Sequence, residues 1–229
     1  MGVTPEELSD YYPRLYHMAE SDSWDGINRH GLLSTSSLLT LFEIAGDERR
    51  KIELCKREDS KEIIHERHGR AVIRDQKPIV ESKLRTALGG CMTPEEWYGL
   101  LNGKVFFWLT VERLTTLLSA REYRSKPHLV LTLETLPLAT AYENSITLTS
   151  INSGNTLPIA HPRGRATFKK MKEYPFAERL KRGLYNTVVE LAVEGGVSNV
   201  LDYTISAELI TSDGNQLITI GTLYARQDR

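Results

Sequence analysis

An acidic residue inside an apolar segment is the feature of this sequence best suited to chemistry. Glu190 stands between Val189 and Leu191 in the stretch VVELAV. A carboxylate with an apolar, water-poor wall around it stabilises positive charge that develops in a transition state. Alternation along a strand places Glu190 and Glu194 on one face and Leu191 on the other. Glu190 is therefore the first candidate catalytic residue; Glu194 and Asp202 are nearby alternatives, and a solvated acid at a strand edge is the competing interpretation.

A histidine next to a tyrosine is the second feature. His17 follows Tyr16 in the stretch RLYHMA. A neutral imidazole donates one hydrogen bond and accepts another, which suits the hydroxyl groups of a sugar. The competing interpretation is a buried ring bonded to a backbone carbonyl. A capped helix follows and closes at Gly31, where His30 is expected to be a surface cap residue.

Three adjacent aromatic rings, Phe106, Phe107 and Trp108, occur in the stretch KVFFWLT. In a strand at most two of them share a face, and the remaining ring points to the opposite side. A flat apolar ring can stack on a heterocycle. Aromatic strands more often form plain core, so this segment gains meaning only beside its neighbours.

A long loop is expected at about 152–176, and its second half belongs to a basic stretch of the chain. Between His161 and Arg182 the sequence has eight lysines and arginines against two glutamates. Such an excess attracts phosphates, either of a dinucleotide or of a nucleic-acid backbone. The candidate substrate-loop residues are Arg163, Arg165, Lys169 and Lys170. A solvated basic surface is the alternative.

Motifs of the common nucleotide-binding and hydrolytic enzymes are absent: the sequence has no Walker loop, no G-x-G-x-x-G, no G-x-S-x-G and no H-E-x-x-H. His65 and His68, on an expected helix face, have no second His or Cys pair to complete a metal site. Cys55 and Cys91 show no metal-type spacing with each other, and reduced structural thiols are expected. The sequence thus predicts no metal.

Composition is that of an ordinary globular protein. The 229 residues include 29 Lys and Arg against 30 Asp and Glu, so only a local patch could attract nucleic acid. No run approaches the roughly 20 apolar residues that span a bilayer, and no secretory apolar region is present. We expect one domain over 1–229, cytoplasmic and without membrane contact.

Helix and strand signals follow one another without regular βαβ alternation, which predicts an α+β fold with a mostly antiparallel or mixed sheet. Helix starts are predicted at TPEEL and TPEEWYGLLNG, where Thr precedes Pro. The charged segment 47–70 is expected to be a solvated, salt-bridged helix within a charged helical insertion at about 43–103. The predicted strands are RLYHMA, KVFFWLT, PHLVLTLETLPLA, ENSITLT, TVVELAVE and a final pair across SDGN. The stretch GRAVIRDQKPIVESKLRTAL is expected to be a short strand or extended connection that leads into a helix.

In their order along the chain, these segments resemble the NAD-binding elements of ADP-ribosyltransferases, most of all the bacterial DNA-modifying ADP-ribosyltransferase toxins. RLYHMA with the following HGLLS is similar to the first element of that family. KVFFWLTVERLTTLLS is similar to the second, in which an aromatic ring packs against nicotinamide. VVELAVEGGVSNVLDY is similar to the strand that carries the catalytic glutamate. The KVFFW strand and the INSG turn also resemble an uncharacterised domain family related to these toxins.

The resemblance implies a split, mixed or antiparallel sheet with N-terminal helices, and NAD bound in the split without a metal. It implies Glu190 and an arginine as catalytic residues; Arg74 is the first choice and Arg85 the second. The implied cofactor-binding residues are His17, Tyr16, Gly31, Phe107 and Trp108.

The implied function is an NAD-dependent ADP-ribosyltransferase with a DNA or RNA acceptor, acting as a toxin or defence effector with an antitoxin or regulatory protein as candidate partner. Protein or free-nucleotide acceptors, and NAD-dependent removal of an RNA 2′-phosphate, are alternatives. A non-catalytic module that binds a nucleotide or a macromolecule is the alternative from another class. A shared site requires His17 and Glu190 to lie within about a dinucleotide's length and not on opposite faces of the sheet.

Overall fold

The computed structural model describes residues 2–227. The helices are α1 (Pro5–Tyr11), α2 (Trp24–His30), α3 (Thr35–Leu41), α4 (Gly46–Glu53), α5 (Glu81–Leu88), α6 (Pro94–Asn102), α7 (Val111–Leu118), α8 (Thr135–Ala141) and α9 (Phe176–Leu180). The strands are β1 (Arg14–Glu20), β2 (Leu32–Leu33), β3 (Lys61–His65), β4 (Gly69–Ile73), β5 (Lys104–Trp108), β6 (His128–Glu134), β7 (Ile146–Thr149), β8 (Lys169–Lys170), β9 (Glu190–Glu194), β10 (Gly196–Val197), β11 (Thr204–Ser212) and β12 (Leu217–Ala225).

The predicted helix starts are confirmed, with their caps. The Thr4 hydroxyl accepts a hydrogen bond from the Glu7 amide at 3.2 Å, and the Glu7 carboxylate accepts one from the Thr4 amide at 3.0 Å. Thr93 and Glu96 form the same reciprocal pair at the start of α6. These bonds satisfy backbone donors that a helix start otherwise leaves without partners.

The main sheet has the strand order β12-β11-β6-β1-β5-β9-β7-β8, and every strand pair in residues 2–227 is antiparallel. The α+β class with a large antiparallel sheet is therefore confirmed. β1 pairs with β6 along its whole length but with β5 only at Tyr16 and Trp108. The sheet thus consists of two half-sheets that separate beyond one residue pair: the first half-sheet is β12-β11-β6-β1 and the second is β5-β9-β7-β8.

Alternation along the strands divides their side chains between two apolar regions. Leu15, Phe107 and Leu191 lie in the main core, which also contains residues of α1 and α8. Tyr16 and Trp108 lie on the other face, in the cluster built around α7. The sequence prediction that one of the three adjacent aromatic rings must point away from the other two is confirmed, and that ring is Phe107.

The prediction of a helix through 47–70 is wrong beyond α4. The chain instead forms the β3–β4 hairpin, with His65 and His68 at its turn and Gly69 at a φ of +76°. Ile63 and Ile73 are buried beside Phe42, the residue that follows α3. This tertiary contact, and not the charge pattern of the segment, stabilises the two strands of the hairpin.

The strand predicted over PHLVLTLETLPLA is too long. β6 ends at Glu134, and α8 begins at Thr135. Pro137 falls in the first turn of this helix, where an amide hydrogen has no helical acceptor and its loss costs nothing. Within residues 2–227 the helices are all too short or too polar to cross a lipid bilayer.

Candidate functional site

A cavity of about 540 Å³ opens where the half-sheets separate. The first half-sheet contributes residues of β1, and the second contributes residues of β5 and β9. The β3–β4 hairpin, α2 and α7 supply further walls. The lining residues that bear on function are His17, Glu20, Gly31, Arg57, Arg70, Arg74, Phe106, Trp108, Arg113, Asn152, Ser153, Asn155 and Glu190.

Glu190 is the acid of this cavity. It is the first residue of β9 and lies opposite Trp108 on β5 and Thr149 on β7. Only 4% of its surface is exposed. The Ser153 amide donates to both carboxylate oxygens, at 3.1 and 3.2 Å. Burial raises the pKa of Glu190 to about 7, against the lowering effect of the Ser153 hydrogen bonds and of the Arg113 charge. The carboxyl is therefore poised between its acid and base forms near neutral pH.

Arg113 is a cavity residue that the sequence analysis missed. It lies in α7 with its guanidinium 3.9 Å from the centre of the Tyr185 ring, and it donates to the Tyr185 carbonyl. Its Nε is buried and has no hydrogen-bond partner among the described residues. Burial lowers the Arg113 pKa, while the Glu190 charge raises it. The helical period that buries Leu114 and Leu118 predicts that Arg113 lies beside the buried stripe of α7. It does not predict the charge of Glu190, which comes from β9, a strand far away in the sequence.

His17 satisfies both interpretations of its sequence position. Its Nδ1 lies 2.9 Å from the Phe106 carbonyl oxygen, which can only accept, so Nδ1 carries the proton and Nε2 is an acceptor. Burial lowers the His17 pKa to about 4, and the ring is neutral at physiological pH. His17 is thus a ring bonded to a backbone carbonyl that also lines the cavity.

His17 and Glu190 reach the cavity from different sides of the sheet. In register His17 lies next to Phe107, with ring centres 5.7 Å apart, on the face of the main core, whereas Glu190 and Trp108 share the other face. Strict alternation therefore puts the two residues on opposite faces of the sheet, contrary to the expectation that they do not lie on opposite faces. They line one cavity because β1 and β5 separate beyond Tyr16.

Among the predicted cofactor-binding aromatics, Phe107 is misplaced. It is 1% exposed in the main core and does not line the cavity, because alternation turns it away. Its neighbours Phe106 and Trp108 do line the cavity. Tyr16 packs in the cluster of α7 and does not reach the cavity. Sequence alternation predicts which rings share a face, but not which face meets the cavity.

Gly31 lines the cavity and requires the absence of a side chain. It has φ +80° and ψ −178°, a backbone region that is essentially restricted to glycine. A Cβ at this position would overlap the carbonyl oxygen of Ser198. Gly31 therefore lets the end of α2 approach the backbone that follows β10.

Arg74 lies at the cavity, as expected of the first-choice arginine, whereas Arg85 lies on α5 and pairs with Glu81 outside it. The Arg74 Nε donates to Glu20 at 3.3 Å, and its guanidinium stands 4.8 Å from the centre of the Tyr123 ring. Two further arginines, Arg57 and Arg70, line the same wall. These arginines already have partners: Arg70 pairs with Asp22 and Glu62, and Arg57 donates to the backbone carbonyls of Ile52 and Arg74. Glu20 and Asp75 line the cavity beside them, so this wall carries charges of both signs.

The predicted substrate loop meets the cavity only at its start, where Asn152, Ser153 and Asn155 line it, and its four candidate basic residues lie elsewhere. Arg163 is 5% exposed and donates to the backbone carbonyls of Ser153 and Asn155, both at 3.0 Å, so it holds the INSG turn in place. Arg165 pairs with Glu96 on the surface, and Lys169 and Lys170 are exposed on β8. None of these four residues lines the cavity. The basic excess therefore lies on a separate surface at the β8 end of the sheet.

No group of three or more His, Cys, Asp or Glu side chains in residues 2–227 is placed to hold a metal ion. His65 and His68 do lie close, with ring centres 4.7 Å apart, but at the hairpin turn and not on a helix. The His30 ring contacts them: its Nε2 is 3.2 Å from the His68 carbonyl oxygen. This contact attaches the hairpin to the end of α2, and His30 is more than a surface cap.

Comparison with known proteins gives a family but no activity. Residues 13–204 match the family described as "Family of unknown function (DUF7002)". No curated protein and no solved structure matches the chain significantly. The matched range includes every residue that lines the cavity. The chain therefore belongs to the DUF7002 family of unknown function.

Proposed function

We propose that this protein is an NAD-dependent ADP-ribosyltransferase with the split sheet of that superfamily. One observation carries the proposal: Glu190 and His17, from strands of different half-sheets, line the same cavity at the point where the sheet separates. The resemblance of their segments to the family's NAD-binding elements implies one shared site; the two residues lie on opposite faces of the sheet, and the separation of β1 from β5 is what lets both line the cavity. Its aromatic wall suits the nicotinamide ring, and its arginines suit the pyrophosphate.

The chain's residues would divide the work of binding. The His17 Nε2 would accept a hydrogen bond from a ribose hydroxyl, because its Nδ1 is already committed to Phe106. The Trp108 ring would provide the apolar wall for nicotinamide. Arg74 and Arg113 would face the pyrophosphate, and Arg113 has an unused buried donor.

Transfer begins when the bond between nicotinamide nitrogen and ribose C1′ breaks. The bonding electrons leave with nicotinamide, which becomes neutral, and positive charge develops on the ribose. The ionised Glu190 stabilises this charge in a site shielded from water. A nucleophilic oxygen or nitrogen of the acceptor then bonds to C1′ and gives its proton to the Glu190 carboxylate, for which a pKa of about 7 is well matched.

For the acceptor, we propose a nucleic acid, with the protein acting as a toxin or defence effector controlled by an antitoxin or regulatory protein. The exposed basic residues around β8 support contact with phosphates of a polymer that extends outside the cavity. This support comes from Lys169, Lys170 and the partly paired Arg165, and not from the buried Arg163.

The test is incubation with NAD labelled in the adenylate moiety and separate pools of DNA, RNA and protein. The wild-type protein should release nicotinamide and label a nucleic-acid pool, and Glu190→Gln should lose both activities. Glu178→Gln, an exposed change on α9 outside the cavity, is the matched control and should retain both. Absence of nicotinamide release and of label in every pool would refute the enzymatic proposal.

A non-catalytic nucleotide-binding module is the second candidate. It is favoured by one observation: both Glu190 oxygens already accept from the Ser153 amide, as in a purely structural carboxylate. This candidate predicts that NAD binds, measured by calorimetry, without nicotinamide release. It also predicts that Glu190→Gln leaves the affinity unchanged.

A further inference from the structure

A second cavity, of about 620 Å³, lies at the β8 end of the main sheet. It has no lining residue in common with the first cavity, the one at the separation of the half-sheets. Its charged lining residues are Arg163, Arg165, Lys169 and Arg179. Within residues 2–227, no Asp or Glu side chain lines it. The second cavity therefore has walls of one sign, whereas the first carries charges of both signs.

Two of these cations, Arg163 and Arg179, are held by neutral groups. Arg163 donates to three backbone carbonyl oxygens at 3.0–3.1 Å, and Arg179 donates to those of Thr187 and Asn186 at 3.1 and 3.2 Å. Burial lowers the Arg163 pKa, and Glu190, whose charge raises it, lines the first cavity and not this one. A guanidinium has five N–H donors, so both groups have donors left for a ligand.

The other two cations, Arg165 and Lys169, are exposed. Arg165 pairs with Glu96 at 3.3 Å, and such an exposed pair contributes little and exchanges readily. The neighbouring Lys170 donates to the Asn144 carbonyl, whereas the Lys169 ammonium group has neither a hydrogen bond nor an ion pair with a described residue. These two side chains are therefore available to an anion that enters the second cavity.

We propose that the second cavity binds a phosphate monoester, either a small organic phosphate or the terminal phosphate of a nucleic acid. A monoester carries a charge of about −1.5 to −2 at pH 7 and three acceptor oxygens, so it can use several cations at once, unlike a carboxylate. Guanidinium groups match phosphate oxygens in geometry as well as in charge. Met92, Ile151 and Pro162 supply apolar walls for the organic part of the ligand.

Ser153 stands between the two cavities. Its carbonyl accepts from Arg163, and its amide donates to Glu190. Phosphate binding nevertheless requires neither NAD nor the chemistry of Glu190, so this inference is independent of the proposed function. Its experiment measures protection of a thiol and not nicotinamide release, and each proposal can fail while the other holds.

The two cysteines give a local measure of binding. Both have exposed, free thiols, but only Cys91 lines the second cavity, and Cys55 lies outside both cavities. The full chain is alkylated with iodoacetamide at constant pH and ionic strength, and the rate at each cysteine is measured by peptide mass spectrometry. Adenosine 5′-monophosphate should slow alkylation of Cys91 and leave that of Cys55 unchanged. Adenosine, which lacks the phosphate, should leave both rates unchanged.

Lys169 and Lys170 provide a matched pair of variants. They are neighbours on β8 and both exposed, but only Lys169 lines the second cavity. Lys169→Gln should raise the nucleotide concentration that half-protects Cys91 by about five-fold or more. Lys170→Gln, which removes the same charge outside the cavity, should behave as the wild type does. The melting temperature of each variant reports whether it folds.

A single-stranded oligonucleotide, with and without a 5′-phosphate, distinguishes the two sources of the ligand. Protection of Cys91 by the mononucleotide identifies a small organic phosphate, and protection by the phosphorylated strand alone identifies the end of a nucleic acid. Four outcomes would each overturn the proposal: no protection by any phosphate, equal protection by adenosine, equal protection by the strand without its 5′-phosphate, or an equal loss of protection in the two folded lysine variants.

Discussion

Replacing Glu190 with glutamine should stabilise the protein above neutral pH. The folded-state pKa of Glu190 is raised from 4.5 to about 7 by burial. An acid with a raised folded pKa contributes stability below its unfolded pKa and loses that contribution as pH rises through the folded pKa. At about 1.4 kcal/mol for each pH unit, ionised Glu190 costs about 3 kcal/mol at pH 8. Glutamine resembles the protonated acid and carries no such cost.

The assay is thermal unfolding of wild type, Glu190→Gln and the control Glu178→Gln between pH 5 and pH 8. For a chain of this length the variant should melt about 6–12 °C above the wild type at pH 8. At pH 5 the free-energy difference should shrink to about 1 kcal/mol, because folded Glu190 is then protonated in the wild type too. If the difference in melting temperature between Glu190→Gln and the wild type does not change with pH, burial does not raise the pKa of Glu190 as described. Glu178→Gln should show no pH-dependent difference.

Three further outcomes follow from the site and the caps. The rate of nicotinamide release should rise about ten-fold from pH 6 to pH 8 as Glu190 ionises. Arg113→Met should move the midpoint of this pH–rate profile to higher pH, because the Arg113 charge lowers the Glu190 pKa. A rate that does not change with pH would contradict both expectations. Gly31→Ala should cost at least about 2 kcal/mol in chemical denaturation, from its backbone conformation and its overlap with Ser198; a neutral substitution would refute the close approach. Thr93→Ala should cost about 1 kcal/mol and lower the melting temperature by about 2–4 °C, since it removes the hydroxyl that accepts from the Glu96 amide and leaves only the bond from the backbone amide of residue 93 to the Glu96 carboxylate; an unchanged melting temperature would show that α6 packing alone fixes its start.

Local signals account for what the sequence predicted well. The Thr-Pro starts of α1 and α6 and the apolar runs of β1, β5 and β9 are read from a few neighbouring residues, and the structure contains them all. β4 and the following α5 agree with the short strand or extended connection leading into a helix that GRAVIRDQKPIVESKLRTAL predicts. β3 was missed because its charge pattern is that of a solvated helix, whereas the stability of the hairpin depends on burial against distant Phe42.

The site was predictable only in part, for a related reason. The sequence shows that Glu190 stands in an apolar strand, and that His17 places a polar ring in the strand segment RLYHMA. Arg113 is a site residue because Glu190 on β9 lies near it in the fold. Arg163 is buried because it donates to the Ser153 carbonyl of the INSG turn. Both roles depend on contacts between segments far apart in the chain, which residue type alone does not specify.

The single pair that joins the half-sheets also determines how the molecule holds together. Along the chain, β1 belongs to the first half-sheet, β5 to the second, β6 to the first, β7 to β9 to the second, and β11 and β12 to the first. The backbone therefore crosses between the halves at each change, while Tyr16 and Trp108 form the only ladder contact between them in the described part of the chain. Neither half is a contiguous fragment, so neither can be expressed alone by cutting the chain once. The cleft can widen by loss of one ladder contact, yet the repeated backbone crossings limit how far its two sides separate.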